Sequence, residues 1–329
     1  MLLKRPELFH GQSIKRPFFE GWYHKMSCAN GDTIVTIPGI YRSGIDDNET
    51  AFLMFYQGSS GQVDYIPYNV NDFQCDRKSY ALQLGKNFFS LNEISLNFQN
   101  ERIKVDGKIT AQNLKPWPVT LFEHGCMGWY GYVPTMECFH GILSMDHDLS
   151  GALTINDNKI DFDKGHGYIE KDWGKNFPKD WVWAQSNNFE DSKISVSVSL
   201  ATIPWKKYEF SGFIIGIQHG DQLYRFTTYN FSKIAKIELK NNTLEWNLKR
   251  GNLDLELKIK PGKRSGLLYA PDKIDMIAKV EEFLDGYISL TLNQGDVTII
   301  NQSSDSAAVE IVGRTDRLIK NAVQARPGL

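Results

Sequence analysis

Short runs of β-branched and aromatic residues, cut at intervals by Gly, Asn, Asp or Pro, fill nearly the whole chain. This punctuation constrains the fold more than any other feature. Such side chains suit a pleated, half-buried surface, and the punctuating residues tolerate a chain reversal. In the first half the runs include 21–27, 33–41, 51–57, 62–67, 79–84, 94–98 and 104–111. In the second they include 181–187, 193–202, 208–218, 222–231, 234–239, 243–248, 253–259, 287–292 and 296–301. Asn100-Glu101, Lys240-Asn241-Asn242 and Arg250-Gly251-Asn252 read as hairpin turns. No segment longer than about ten residues keeps a helical period; the most helix-like stretch, 271–284, is poorly amphipathic. The fold class is therefore all-β and antiparallel. About sixteen strands are too many for one small barrel, since about eight enclose a single ligand. Two barrel- or sandwich-like halves packed together are expected, 1–150 and 151–329, joined within the Pro/Gly-interrupted region 114–165. There P-W-P at 116–118 and G-W-Y-G-Y-V-P at 128–134 cannot be central strands throughout.

The charge balance narrows the function. Lys and Arg number 37 against 39 Asp and Glu, a net charge of −2, which argues against a nucleic-acid binder relying on bulk positive charge. The first residues carry charge from Lys4 and lack an apolar core segment, so no secretory signal is expected. No run approaches the roughly 18 apolar residues of a membrane-spanning helix. A cytoplasmic location is expected, with no integral membrane segment and with peripheral access to membrane lipids left open. Nothing in the sequence sets an oligomeric state.

Metal and cofactor signals are missing. Cys28, Cys75, Cys126 and Cys138 form no C-x-x-C pair and read as reduced thiols. Cys126, Cys138, His124 and His140 match no common zinc spacing. There is no dinucleotide or phosphate loop, no H-E-x-x-H and no G-x-S-x-G. No metal and no cofactor are expected, which leaves cofactor-free acid–base chemistry or simple binding of a hydrophobic small molecule.

Residues 165–189 are the richest in chemistry: G-H-G-Y-I-E-K-D-W-G-K-N-F-P-K-D-W-V-W-A-Q-S-N-N-F. In an extended strand alternate residues share a face. His166, Tyr168, Glu170 and Asp172 then share one face, and Lys171 and Trp173 the other. Further on, Trp181, Trp183, Gln185, Asn187 and Phe189 line one face. A bulge after Gly165 or Gly167 would invert the first assignment. A buried carboxylate needs a partner, and Glu170 must find it in His166, another strand or a ligand. Two further clusters stand out. M-E-C-F-H-G at 136–141 carries Glu137 and His140. F-F-E-G-W-Y-H-K at 18–25 puts Glu20, Trp22 and His24 on one face.

E-K-D-W-G at 170–174, followed by F-P-K-D-W-V-W-A-Q-S-N-N-F at 177–189, resembles the signature of the tocopherol cyclase family, roughly E-K-N-W-G…F-P-x-x-W-x-W-x-Q-x-N-x-F. Glu20-Gly21-Trp22-Tyr23 with Lys25 is similar to its N-terminal E-G-W-Y-x-K element, and P-x-M-E-C-x-H-G at 134–141 resembles bacterial members. Asp172 stands where the family pattern has Asn, and the chain is shorter than the plant enzymes. More distantly, the layout is similar to two-barrel, lipocalin-like proteins that include carotenoid hydratases and some cycloaddition enzymes. The resemblance implies cofactor-independent cyclisation: protonation of an alkene in a prenylated hydroquinone, then capture of the tertiary cation by the phenol oxygen. The expected acid is Glu170 or Asp172, with His166 or His140 as its partner. Trp173, Trp181 and Trp183, with Tyr168, would be the cation-stabilising walls, each worth about 2 kcal/mol or more when desolvated. Gln185 and Asn187 would orient the ligand's oxygens, and Glu20, Trp22 and Glu137 would complete the binding surface. The alternative is a non-catalytic lipocalin-like carrier of a hydrophobic small molecule, which needs the pocket but no protonated carboxyl.

Overall fold

The computed structural model describes residues 5–14, 16–121, 123–205 and 208–324. The chain forms two compact units. One is Met1–Phe177 with Leu268–Lys279; the other is Pro178–Leu267 with Val280–Leu329. The all-β, antiparallel expectation holds: each unit is built on one large antiparallel sheet.

The first unit contains β1 (Phe18–Ser27), β2 (Thr33–Arg42), β3 (Glu49–Gln57), β4 (Gln62–Tyr68), β5 (Phe73–Cys75), β6 (Ala81–Leu84), β7 (Asn87–Ser90), β8 (Glu93–Gln99), β9 (Lys104–Gln112), β10 (Cys138–Ile155), β11 (Asn158–Asp161) and β12 (Gly165–Gly174). Their order is β4-β3-β2-β1-β12-β10-β9-β8-β7-β6-β5, with β11 on β10. The last strand in sequence is thus inserted between the first strand and β10. A join within 114–165, or a cut at 150/151, is therefore corrected: it would sever β10 and remove β12 from the middle of the sheet, so the unit runs on to Phe177. Alternation along β1 and β12 sends Phe18, Trp22, Met26, Ile169 and Trp173 into one core with Leu53 and Phe55 of β3. Leu268–Lys279 groups here too: Tyr41 Oη donates to the Asp272 carbonyl at 2.7 Å, and Tyr65 stacks on Tyr269 with ring centres 4.3 Å apart.

The second sheet contains β13 (Trp181–Ser186), β14 (Ile194–Trp205), β15 (Tyr208–His219), β16 (Gln222–Thr227), β17 (Lys233–Lys240), β18 (Thr243–Arg250), β19 (Leu253–Lys260), β20 (Ser265–Pro271), β21 (Met276–Gln294) and β22 (Val297–Val312), all in the second unit except the end of β20 from Leu268 and the start of β21 to Lys279. The order is β16-β15-β14-β13-β22-β21-β19-β18-β17, with β20 on β21. The helix-like stretch 271–284 belongs largely to β21. Val280, Glu282 and Leu284 are buried at alternate positions, a two-residue period that explains its poor helical amphipathicity. A helix, α1 (Thr315–Gln324), follows β22, and Leu318 and Ala322 on its i, i+4 stripe join the second core. At the turn between β17 and β18, Asn241 and Asn242 take φ of 50° and 59°, the left-handed pair that a tight hairpin requires.

Candidate functional site

β12 is extended throughout, so its two faces carry different chemistry. Asp172 lies opposite His140 and Glu170 opposite Ile142 on β10. On its other side Lys171 lies opposite Trp22 and Trp173 opposite Glu20 on β1. The structure therefore brings together His140, Tyr168, Glu170 and Asp172 on one face, and Glu20, Trp22, Lys171 and Trp173 on the face that meets the first core.

His140 is the hinge of the first group. Its Nδ1 is 3.0 Å from Asp172 Oδ1, and its Nε2 is 3.7 Å from Glu170 Oε2. Tyr168 Oη donates to Glu170 Oε2 at 2.6 Å. The side chains of His140, Glu170 and Asp172 retain 15%, 7% and 25% of their accessible surface, so Asp172 is the group a ligand meets first. Burial works against charge on His140, but the Asp172 and Glu170 carboxylates outweigh it and raise the imidazole to about 9. At neutral pH His140 holds a proton between two carboxylates. Residues Gly125–Tyr132 support it from behind, as the His140 N–H meets Met127 Sδ at 3.1 Å and Cys126 Sγ lies 3.2 Å from the His140 carbonyl. One imidazole and two carboxylates, with ligand atoms within 4.8 Å of one another, are also a donor set that a borderline divalent cation accepts. Such a cation would first have to displace the proton on His140.

The core face is a closed ion pair. Glu20 and Lys171 are fully buried and pair with each other. Glu20 accepts the backbone N–H of His10 and of Gly11 at 3.0 and 3.1 Å. The Lys171 ammonium donates to the Pro6 carbonyl at 3.0 Å and to the Leu8 carbonyl, and its Nζ lies 2.9 Å from His10 Nδ1. Its Nζ also stands 4.5 Å from the Trp22 ring centre and 4.9 Å from that of Trp173. Burial opposes charge on Glu20, yet Lys171 and His10 hold its carboxyl below the ordinary value. Glu20, Trp22 and Trp173 are thus occupied in the interior, away from His140, because β1 and β12 alternate in phase.

The remaining candidates have other neighbours within their own units. His166 shares the Glu170 face, but its Nδ1 is 3.2 Å from Asp146, whose hydrogen bond raises the imidazole pKa. Glu137 is exposed, and its carbonyl accepts the Lys175 N–H at 2.7 Å. Trp181, Trp183, Gln185 and Asn187 belong to the second unit. There Trp181 Nε1 donates to Glu310 Oε2 at 2.5 Å, and Trp183 lies opposite Ser199 and Glu310. β12 and β13 are consecutive in the chain but lie in different sheets, so they do not form adjacent strands of one wall. His10 was not legible from the sequence: it acts through a loop whose only signal is its place before β1. Met127 likewise carries no local pattern that points to His140.

Compared with known proteins, residues 16–313 match the family model described as tocopherol cyclase-like. The chain is 24% identical over 282 residues to a probable chloroplastic tocopherol cyclase of Oryza sativa subsp. japonica, covering 67% of this chain and 58% of that protein. It is 25% identical over 278 residues to the chloroplastic tocopherol cyclase of Zea mays, with the same coverage. The chain thus spans less than two thirds of the curated relatives it matches. Among solved structures, a crystal structure of CghA with Sch210972 aligns with a TM-score of 0.55 at 10% identity, covering 90% of this chain and 89% of that one. That likeness concerns the fold.

Proposed function

Because the chain belongs to the tocopherol cyclase-like family, we propose that it is an enzyme that cyclises a prenylated quinol, or a similar apolar isoprenoid compound, by acid catalysis without a cofactor. The single observation that carries this reading is the placement of the His140 imidazole between Asp172 and Glu170, its Nδ1 3.0 Å from one carboxyl group and its Nε2 3.7 Å from the other.

An imidazolium with a pKa of about 9 is too weak an acid to protonate an alkene. Passed over 3.0 Å to Asp172, the same proton makes a neutral imidazole and a neutral carboxyl. An apolar ligand seated on Asp172 removes water, and desolvation favours that neutral pair over the ion pair. The carboxyl then gives its proton to the alkene carbon, leaving a tertiary cation. The phenol oxygen forms the new C–O bond, and its proton returns to the vacated carboxylate. Product and substrate are isomers, and the catalyst ends as it began. Glu170, fixed by Tyr168, keeps a negative charge beside the imidazole and so holds the proton in the cluster.

The test is to incubate the purified protein with a prenylated hydroquinone in D2O. The reading expects a chromanol with one carbon-bound deuterium at the protonated position. Tight binding with the ligand recovered unchanged would assign the protein to the carrier class instead.

A further inference from the structure

Asp172 and Glu170 approach the two nitrogens of one imidazole unequally. His140 Nδ1 lies 3.0 Å from Asp172 Oδ1, a hydrogen-bond distance. His140 Nε2 is buried, lies 3.7 Å from Glu170 Oε2 and has no hydrogen-bond partner among the described residues. That gap is too long for a hydrogen bond. It is close to the spacing of two donors on a shared ion, since atoms about 2.0–2.2 Å from one zinc-class cation stand roughly 3.4 Å apart in a tetrahedral set. One donor atom from each of His140, Glu170 and Asp172 lies within 4.8 Å of the other two, so small side-chain rotations bring all three onto one ion. Asp172, the most exposed of the three, has the room to turn.

Metal-bound carboxylates and imidazoles are held from behind by outer partners. Here Tyr168 Oη donates to Glu170 Oε2 at 2.6 Å, and the carboxylate keeps lone pairs to spare. Met127 Sδ meets the His140 backbone N–H at 3.1 Å, and the strand register fixes His140 opposite Asp172. The donor types choose the ion. Magnesium and calcium take oxygen ligands, whereas imidazole nitrogen suits zinc and its transition-metal neighbours. Cys138 Sγ, 4.0 Å from Asp172 Oδ1, places a soft atom beside the set.

We propose that His140, Glu170 and Asp172 form a binding site for one borderline divalent cation of the zinc class. The ion and the proton compete for the imidazole, so the ion-loaded protein is a form in which the proposed acid is switched off. Only that consequence rests on the cyclase reading; the binding site does not.

Co2+, a visible probe of zinc sites, tests this on the full chain freed of metal with a chelator and then dialysed. One Co2+ per chain is expected to bind with the d–d absorption of a four- or five-coordinate ion. Zn2+ should displace it and excess Mg2+ should not. Tyr168→Phe keeps the ring but removes the outer partner, and is expected to weaken Co2+ binding by about 10–100-fold. His140→Ala should abolish the absorption, while His166→Asn, at the separate pair with Asp146, should leave it unchanged. No saturable Co2+ binding by the wild-type protein would overturn the proposal, as would an absorption that survives in a folded His140→Ala variant. If His140→Ala does not fold, Tyr168→Phe decides, and unchanged affinity there overturns the site. Turnover of a prenylated quinol without Co2+ binding would sink the site alone, and Co2+ binding without turnover would sink the cyclase reading alone.

Discussion

His140 and Asp172 face each other directly across β10 and β12, with the imidazole Nδ1 3.0 Å from the carboxylate Oδ1. This pairing joins two separate sequence motifs into one proton-handling group. Glu170→Gln combined with Asp172→Asn is expected to lower turnover of a prenylated quinol by about 10²–10⁴-fold, with an unchanged circular dichroism spectrum. Wild-type turnover in the double variant would remove the carboxylates from the mechanism.

The pH profile reports the same group. His140 loses its proton near pH 9, so kcat/KM should fall above that value in the wild-type enzyme. Asp172→Asn removes the largest influence raising that pKa, so the alkaline limb of any residual activity should move to lower pH. A limb that stays in place would show that another group sets it.

Tyr168→Phe deletes the donor to Glu170 Oε2 while keeping the ring. Loss of one hydrogen bond to a charged group is worth about 1.5–3 kcal/mol. A fall in kcat of about tenfold or more is therefore expected, with KM little changed. A rise in KM alone would mean that Tyr168 only binds.

The Glu20–Lys171 pair should govern stability rather than chemistry. Lys171→Met leaves a fully buried carboxylate without its cation and is expected to cost about 3–5 kcal/mol. Adding Glu20→Gln should recover part of that loss. Urea midpoints of the two singles and the double variant decide it, and additive effects would contradict the coupling.

Stability should also be bounded by pH on both sides. Burial lowers His24 and His147 to about 3, so each contributes stability above the ordinary value of 6.5 that is lost as pH falls towards 3. His140 is raised to about 9, so its contribution is complete below 6.5 and is lost as pH rises through 9. Within those windows each group changes the unfolding free energy by about 1.4 kcal/mol per pH unit. Denaturation of His24→Gln across pH 4–7 should show a shallower acid slope than wild type, and an identical slope would refute the assignment.

Much of this was legible in the sequence, for a simple reason. Strand alternation is local, so placing Tyr168, Glu170 and Asp172 on one face, and Lys171 and Trp173 on the other, needed only the two-residue period of β12. The turn residues Asn241 and Asn242 marked a hairpin because the left-handed region favours few residue types. What lay beyond local pattern was the choice of partner. His166 and His140 were equal candidates for Glu170, and only the register of β10 against β12 selects His140. Pairing register joins residues far apart in the chain, and no local spacing encodes it.

Local pattern was enough to set the antiparallel β class, the family resemblance and the two faces of β12. The tertiary structure decided that β12 lies between β1 and β10, which turns one face into a proton-sharing group and the other into a sealed ion pair. It also decided that Trp181, Trp183, Gln185 and Asn187 belong to a different sheet from the acids they follow in the chain. The physical reason is that hydrogen bonds between strands commit each strand to one sheet. Where that commitment falls depends on which distant strands bury the most apolar surface together, a property of the whole chain.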